Sequence, residues 1–297
     1  MRVVQFDEYG PPEVLHLAER DEPVAGPGEV RIRVVAAGLN PADYKWRSGT
    51  FREGAPLRLP HVLGYDAAGF VDAVGPGVTA FRPGDRIVAN VRGGYAELAI
   101  AQAAHSAKAP DGVDLAAVAV LPCAGLSGLQ LIEDHVRPLP GETVLITGAT
   151  GAAGRAAVHA AQILGARVVA AVRPYQIEEA RRLGADLVLP LEHGAFADLR
   201  FDHIADTVAG PVVGALCRQV APGGRIRTIA SMPTGLPAEA EFCGFKREGA
   251  RLARLANDVA TGAFVMPIAH RMPLACAAEA HRLMEAGGLG GKIVLEL

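Results

Sequence analysis

The segment TVLITGATGAAGRAAVHAAQILG, residues 143–165, constrains the fold of this chain more than any other. An uncharged β-type run leads straight into Gly148-Ala149-Thr150-Gly151-Ala152-Ala153-Gly154, and an alanine-rich run of helical character follows. Such a turn offers a phosphate the free backbone N–H groups and positive dipole end of the following helix. Glycine lets the backbone come close enough to use them. The spacing is G-x-x-G-x-x-G, with Ala149 where the strict dinucleotide pattern, aligned on Gly151 and Gly154, requires a glycine. On its own such a turn can also belong to a sheet that binds no nucleotide. A second β-type run at 167–172, about 20 residues on, supplies the context of a Rossmann unit.

That second run ends in Val172-Arg173-Pro174. NAD-binding units place an Asp or Glu here to hold the ribose hydroxyls, whereas a cation accommodates the additional phosphate of NADP. Arg173 offers a planar guanidinium, and the nearest following acid, Glu178, falls inside the next helical stretch. NADPH is therefore the expected cofactor, the alternative being that Arg173 is a solvated loop residue.

Downstream the rhythm continues, with strands expected at 186–189, 202–206 and 225–230 and helices at 152–164, 176–183 and 211–220. Strand and helix in alternation imply a parallel sheet covered on both faces. The first 120 residues read differently. Short β-type runs at 30–36, 67–74, 85–89 and 95–100 are punctuated by Gly26-Pro27-Gly28, Gly75-Pro76-Gly77 and Pro83-Gly84-Asp85, which argues for a barrel-like β domain. Helical stretches at 248–261 and 275–286 and a last strand at 292–297 close the chain. A length of 297 residues fits two domains.

Composition excludes several classes. A net charge of −3 without long runs of one sign leaves no broad footprint for nucleic acid or anionic lipid. Asp7 and Glu8 stand where a signal peptide needs its apolar run, so a cytoplasmic protein is expected. The uncharged stretch 115–132 contains Pro122, Gly125 and Gly128 and reads as buried core, not a membrane span. The four cysteines are too widely spaced for a C-x-x-C pair and read as reduced thiols.

With the glycine turn placed mid-chain after a β domain, the sequence resembles the medium-chain dehydrogenase/reductase superfamily, and within it the zinc-independent quinone oxidoreductase branch. The motifs that carry the resemblance span almost the whole chain. They are Gly38-Leu39-Asn40-Pro41-Ala42-Asp43-Tyr44-Lys45, Gly64-Tyr65-Asp66-Ala67-Ala68-Gly69, Gly93-Gly94-Tyr95-Ala96-Glu97, Asp206-Thr207-Val208, Pro222-Gly223-Gly224-Arg225 and Gly291-Lys292-Ile293-Val294. The zinc-dependent branch has a Cys in the 40–43 region and G-H-E in place of Gly64-Tyr65-Asp66, so no catalytic zinc ligand set is expected. The four-cysteine structural zinc lobe is absent as well.

The resemblance implies an α/β architecture: a GroES-like β-barrel domain over 1–118, completed by 257–297, with a Rossmann doubly wound parallel sheet over 119–256. It implies hydride transfer from NADPH to a quinone or an α,β-unsaturated carbonyl. A trans-acting enoyl reductase for carrier-bound acyl chains and a non-catalytic NADPH-binding protein stay open beside it. Asn40 is carried over as the residue beside nicotinamide and substrate, with Tyr44 and Lys45 following on the same loop as oxyanion donors. Tyr44 can equally be a packed aromatic and Lys45 a solvated cation. Ser127, in Pro122-Cys123-Ala124-Gly125-Leu126-Ser127, keeps the hydroxyl that meets the cofactor ribose. Gly148, Ala149, Thr150, Gly151, Ala152 and Ala153 would cradle the pyrophosphate. Thr207, Val208 and Ser231, at strand ends, would meet the nicotinamide half. Lys292 is carried over as a cofactor contact, a surface cation being the alternative. Relatives pair as homodimers through a Rossmann edge strand, here near residues 240–245.

Overall fold

Alternation in Glu29–Gly38 turns Val30, Ile32 and Val34 into an apolar core and Arg31 and Arg33 away from it, which makes this strand the spine of the first β region. The computed structural model describes residues 1–192, 196, 199–230 and 235–297. These residues gather into two units, Met1–Cys123 with Arg247–Leu297, and Ala124–Lys246.

In chain order the first unit contains β1 (Arg2–Phe6), β2 (His16–Glu19), β3 (Glu29–Gly38), α1 (Pro41–Arg47), β4 (His61–Val62), β5 (Asp66–Val74), β6 (Arg86–Asn90), β7 (Leu98–Gln102), β8 (Ser106–Lys108) and α2 (Leu115–Ala119). Helix α3 (Pro122–Gln130) leads into β9 (Thr143–Thr147), α4 (Ala152–Ile163), β10 (Arg167–Val172), α5 (Ile177–Arg182), β11 (Leu187–Pro190), β12 (His203–Asp206), α6 (Pro211–Leu216), β13 (Ile226–Thr228) and β14 (Glu241–Phe242). The chain then returns through α7 (Gly249–Ala260), β15 (Ile268–Pro273), α8 (Ala277–Ala286) and β16 (Lys292–Glu296).

The first unit holds a sheet ordered β15-β16-β3-β5-β6-β8, with β7 also paired to β3, and a small sheet β2-β1-β4. The last strand, β16, thus lies beside the early strand β3 and runs antiparallel to it, Val294 opposite Gly38. Phe6, Ile32, Leu63, Ile87 and Tyr95 are among the fully buried side chains of this core.

Among the described residues, the second unit is a six-stranded sheet ordered β11-β10-β9-β12-β13-β14, with parallel neighbours throughout. Counted from β9 this is the order 3-2-1-4-5-6 of the Rossmann fold, which reverses direction between β9 and β12. The fold class is therefore α/β, as the sequence implies.

Two boundaries differ from the expected 118/119 and 256/257. Residues 119–123 and 247–256 pack with the first unit. A Cβ on Gly38 would lie 2.6 Å from the Ala119 carbonyl oxygen, and one on Gly249 would lie 2.3 Å from that of Ser106. Backbone-to-backbone approach through glycine thus docks α2 and the start of α7 on the β sheet. The apolar stretch 115–132 is divided between α2 and α3, Pro122 opening the second helix. No described helix is long and apolar enough to cross a membrane.

Candidate functional site

In the second unit, Gly148 leaves β9 with φ +62°, a left-handed conformation that favours glycine, and its N–H donates to Ala171 on β10 at 2.8 Å. A Cβ here would fall 2.6 Å from Thr207 Oγ1 and 2.7 Å from Val208 Cγ1. The turn and the end of β12 are therefore in contact. Gly154 is required for a different reason: its Cβ would sit 2.1 Å from the Gly148 carbonyl oxygen, so only glycine lets α4 pack on the strand that feeds it.

Helix α4 starts at Ala152 with no side-chain cap on its first N–H groups. Ala149 is fully buried, and Thr150, 5% exposed, has a hydroxyl without a hydrogen-bond partner. An unpartnered buried hydroxyl beside open helix N–H groups suits a phosphate oxygen. Gly128 packs against the same turn, since its Cβ would lie 2.1 Å from the Ala153 carbonyl oxygen, which brings its neighbour Ser127 beside α4. Arg173 is exposed just beyond β10, its guanidinium donating to the Tyr175 hydroxyl at 2.9 Å. Ser231 lies outside the described residues.

The strand ends are tied by a residue that reading for cofactor contacts passes over. Asp206 is fully buried and accepts from Thr147 Oγ1 and Thr228 Oγ1, both at 2.6 Å, and from the N–H groups of Val208 and Ala209 at 3.1 and 3.0 Å. One carboxylate thereby joins β9, β12 and β13 where Thr207 and Val208 emerge. The signal was in the sequence: an acid ending an apolar strand, with threonines ending two others.

In the first unit, Asn40, Tyr44 and Lys45 are not on one loop as the sequence reading has it. Asn40 is the N-cap of α1, Pro41 takes the first helical position, and Asp43 returns its carboxylate to the Asn40 N–H at 2.7 Å. The N-P-x-D spacing is itself a helix-start signal. Tyr44 and Lys45 stand in the helix half-buried, and burial lowers the Lys45 pKa.

Because Asp43 holds the helix start, the Asn40 side chain is free for other bonds. Its Nδ2 donates to Asp66 Oδ2 at 2.8 Å, and its Oδ1 accepts from Lys292 Nζ at 2.6 Å. Lys292 also donates to the Leu39 carbonyl, and Asp66 accepts from the Cys123 N–H at 3.0 and 3.2 Å. Burial raises the Asp66 pKa and lowers that of Lys292, while each charge opposes the shift of the other. Lys292, carried over as a cofactor contact, spends its ammonium inside this unit, 8% exposed. Burial also pushes the Cys123 thiol well above its usual range, which disfavours the thiolate.

Behind Asn40 lies a second set of buried polar groups. Burial pushes Asp43 up to about 7, and the Tyr95 hydroxyl, itself pushed up, meets His281 Nε2 at 3.2 Å. His281 is held down to about 3, first by burial and then by nearby Arg47. Arg47 pairs with Glu285.

Comparison with known proteins fits both units. The model of the alcohol dehydrogenase GroES-like domain matches residues 26–111, and that of the zinc-binding dehydrogenase family matches residues 183–295. A crystal structure of an NAD-dependent alcohol dehydrogenase superposes with a TM-score of 0.89 at 30% identity, covering 100% of both chains. The chain belongs to the medium-chain dehydrogenase/reductase superfamily. Among curated members, the quinone oxidoreductase of Pseudomonas aeruginosa is 36% identical over 202 residues, 67% of this chain and 58% of that one. That match spans little more than half the length of the relative. The quinone oxidoreductase of Rattus norvegicus is 29% identical over 328 residues, 100% of this chain and 98% of the relative. The structure of a mycobacterial protein complexed with NADPH superposes with a TM-score of 0.84 at 28% identity, covering 100% of both chains.

Proposed function

We propose that this chain is a zinc-independent, NADPH-dependent reductase that delivers a hydride to a quinone or an α,β-unsaturated carbonyl. The observation that carries the reading is the turn at Gly148–Ala153, where backbone approach is left open by glycine and the buried Thr150 hydroxyl has no partner within the protein. It has the donors a pyrophosphate needs. The quinone oxidoreductase relatives support the acceptor class, and the NADPH-bound neighbour and exposed Arg173 support the cofactor.

NADPH, when bound, supplies a hydride from C4 of its nicotinamide. The acceptor then carries negative charge on its carbonyl oxygen, and this chain's part is to hold and stabilise that oxygen. Asn40, Tyr44 and Lys45 are the donors offered by the first unit, and one well-placed donor of this kind contributes roughly 2.7–4 kcal/mol. The proton comes from water after hydride transfer, so no side chain has to act as a dedicated acid.

Asp66 stands where zinc enzymes of the superfamily carry the Glu of G-H-E. Here its oxygens accept from Asn40 Nδ2 and the Cys123 N–H, with the Lys292 ammonium nearby as the positive charge. That arrangement supports a reaction without a Lewis-acid metal.

The test is NADPH oxidation by the purified chain with a simple quinone and with a medium-chain enone, each with and without a chelator, NADH being the comparator. Turnover that ignores the chelator and prefers NADPH is expected. Tight NADPH binding without turnover of either acceptor would overturn the reading in favour of a carrier-bound substrate or a non-catalytic role. The same reading includes pairing of two copies through the sheet edge at β14, where Phe242 is exposed. Sedimentation at the mass of a single chain would refute it.

A further inference from the structure

The Asn40 amide is held from both sides by neighbours of β3. Gly38, two residues before it, pairs with Val294 of β16 on one side and with Asp66 of β5 on the other. Lys292 and Asp66 therefore reach Asn40 from the two strands that flank it. The chemistry of the grips fixes which way the amide points. A lysine ammonium has donors and no acceptor, so the edge that faces Lys292 Nζ at 2.6 Å is the amide oxygen. A carboxylate only accepts, so the edge that faces Asp66 Oδ2 at 2.8 Å is the NH2 group. The backbone N–H is taken by Asp43 at 2.7 Å. One N–H of the amide is left, and no acceptor among the described residues takes it. Each grip is itself anchored, Lys292 by the Leu39 carbonyl and Asp66 by the Cys123 N–H.

We propose that Asp66 and Lys292 are positioning residues that clamp the two ends of the Asn40 amide, so that Asn40 acts on its ligand solely as a hydrogen-bond donor, through one N–H, toward a carbonyl oxygen. Lys292 thus works through Asn40 and makes no bond to the cofactor. Only the identity of the oxygen, on a carbonyl acceptor or the nicotinamide carboxamide, rests on the function proposed above. The clamp itself does not.

A double-mutant cycle separates this role from a merely structural one. Lys292→Met is expected to lower kcat about tenfold or more in the native background and less than about twofold in the Asn40→Ala background, because its effect passes through Asn40. The same loss in both backgrounds, or no loss in the first, overturns the proposal. Should Lys292→Met fail to fold, Asp66→Asn enters the same cycle, with the same outcomes expected and overturning. The second readout needs no turnover. In the full chain without cofactor, the two side-chain N–H protons of Asn40 are expected to differ at least about tenfold in solvent exchange, the slow one being bonded to Asp66. In Lys292→Met the two rates should converge. Equal rates in the native chain would overturn the clamp, whereas absence of turnover alongside unequal rates would overturn only the assigned reaction.

Discussion

Replacing Asp206 by alanine tests whether one carboxylate sets the geometry of the strand ends beside the glycine turn. Truncation strips the Thr147 and Thr228 hydroxyls of their acceptor, both at 2.6 Å in the native chain and both on buried residues. A buried polar group left unsatisfied costs about 1–3 kcal/mol. The N–H groups of Val208 and Ala209 lose an acceptor too, but they sit in partly exposed backbone where water replaces it at little cost. Relief from burying a carboxylate offsets part of the loss. The net expectation is about 2–4 kcal/mol, a large share of the roughly 5–15 kcal/mol that hold a typical protein folded. Asp206→Asn keeps an oxygen for Thr147 and the two N–H groups and turns its NH2 toward Thr228, whose hydroxyl can rotate to accept. It should cost only about 1 kcal/mol. Urea denaturation measures both variants, and NADPH titration by fluorescence should show weakened binding in the alanine variant under conditions where it remains folded. If the alanine and asparagine variants lose equal stability, or if alanine loses less than about 1 kcal/mol, the hydrogen-bond account of this carboxylate is wrong.

Three further outcomes are expected. Gly154→Val places a Cβ within 2.1 Å of the Gly148 carbonyl oxygen and must push α4 off β9. It should destabilise by about 1–3 kcal/mol or more and weaken NADPH binding, and a native dissociation constant with a native melting temperature would contradict the close-approach argument. Arg173→Glu should weaken NADPH far more than NADH in a binding titration, and equal losses would remove Arg173 from the 2′-phosphate site. The third concerns pH. Asp43, pushed up to about 7 from 3.8, stabilises the fold in its protonated form, a contribution complete below about 4 and lost as pH rises through about 7. His281, held down to about 3 from 6.5, contributes with the opposite sign, fully above about 6.5 and vanishing as pH falls toward 3. The two oppose each other between about pH 4 and 6.5, so Asp43→Asn should make the melting temperature climb more steeply with pH over that window. Parallel profiles for native and variant chains would refute the raised Asp43 pKa.

Much of the second unit could be read before any coordinates, because its sheet is built from apolar runs with glycine punctuation. The strands expected at 143–147 and 167–172 coincide with β9 and β10. The first unit was less legible. Strand β15 exposes most of its side chains and β2 three of its four, so neither shows the alternation that marks a half-buried strand. The strand expected at 95–100 begins only at Leu98, since Tyr95 turns into the core and bonds through its backbone to Leu63 and Val4. At the candidate site, residue types were readable and their partnerships were not. Asn40 and Lys292 lie 252 residues apart in sequence, and nothing local in either segment announces that they meet. The helical setting of Tyr44 and Lys45 is legible in principle, through the Asn-Pro-x-Asp start of α1, although the family resemblance places both on a loop.

The placement of β16 between β15 and β3 also sets an order on how the protein can mature during synthesis. Among the described residues, the sheet of the second unit takes no strand from outside 124–246, so it can complete itself while the remainder is still being made. The first unit has to wait. Until residues 292–296 have left the ribosome, β3 has an open edge and the Asn40 amide lacks one of its two holds. The Asn40 amide is thus gripped from both sides only once a strand 252 residues further along the chain has paired with β3.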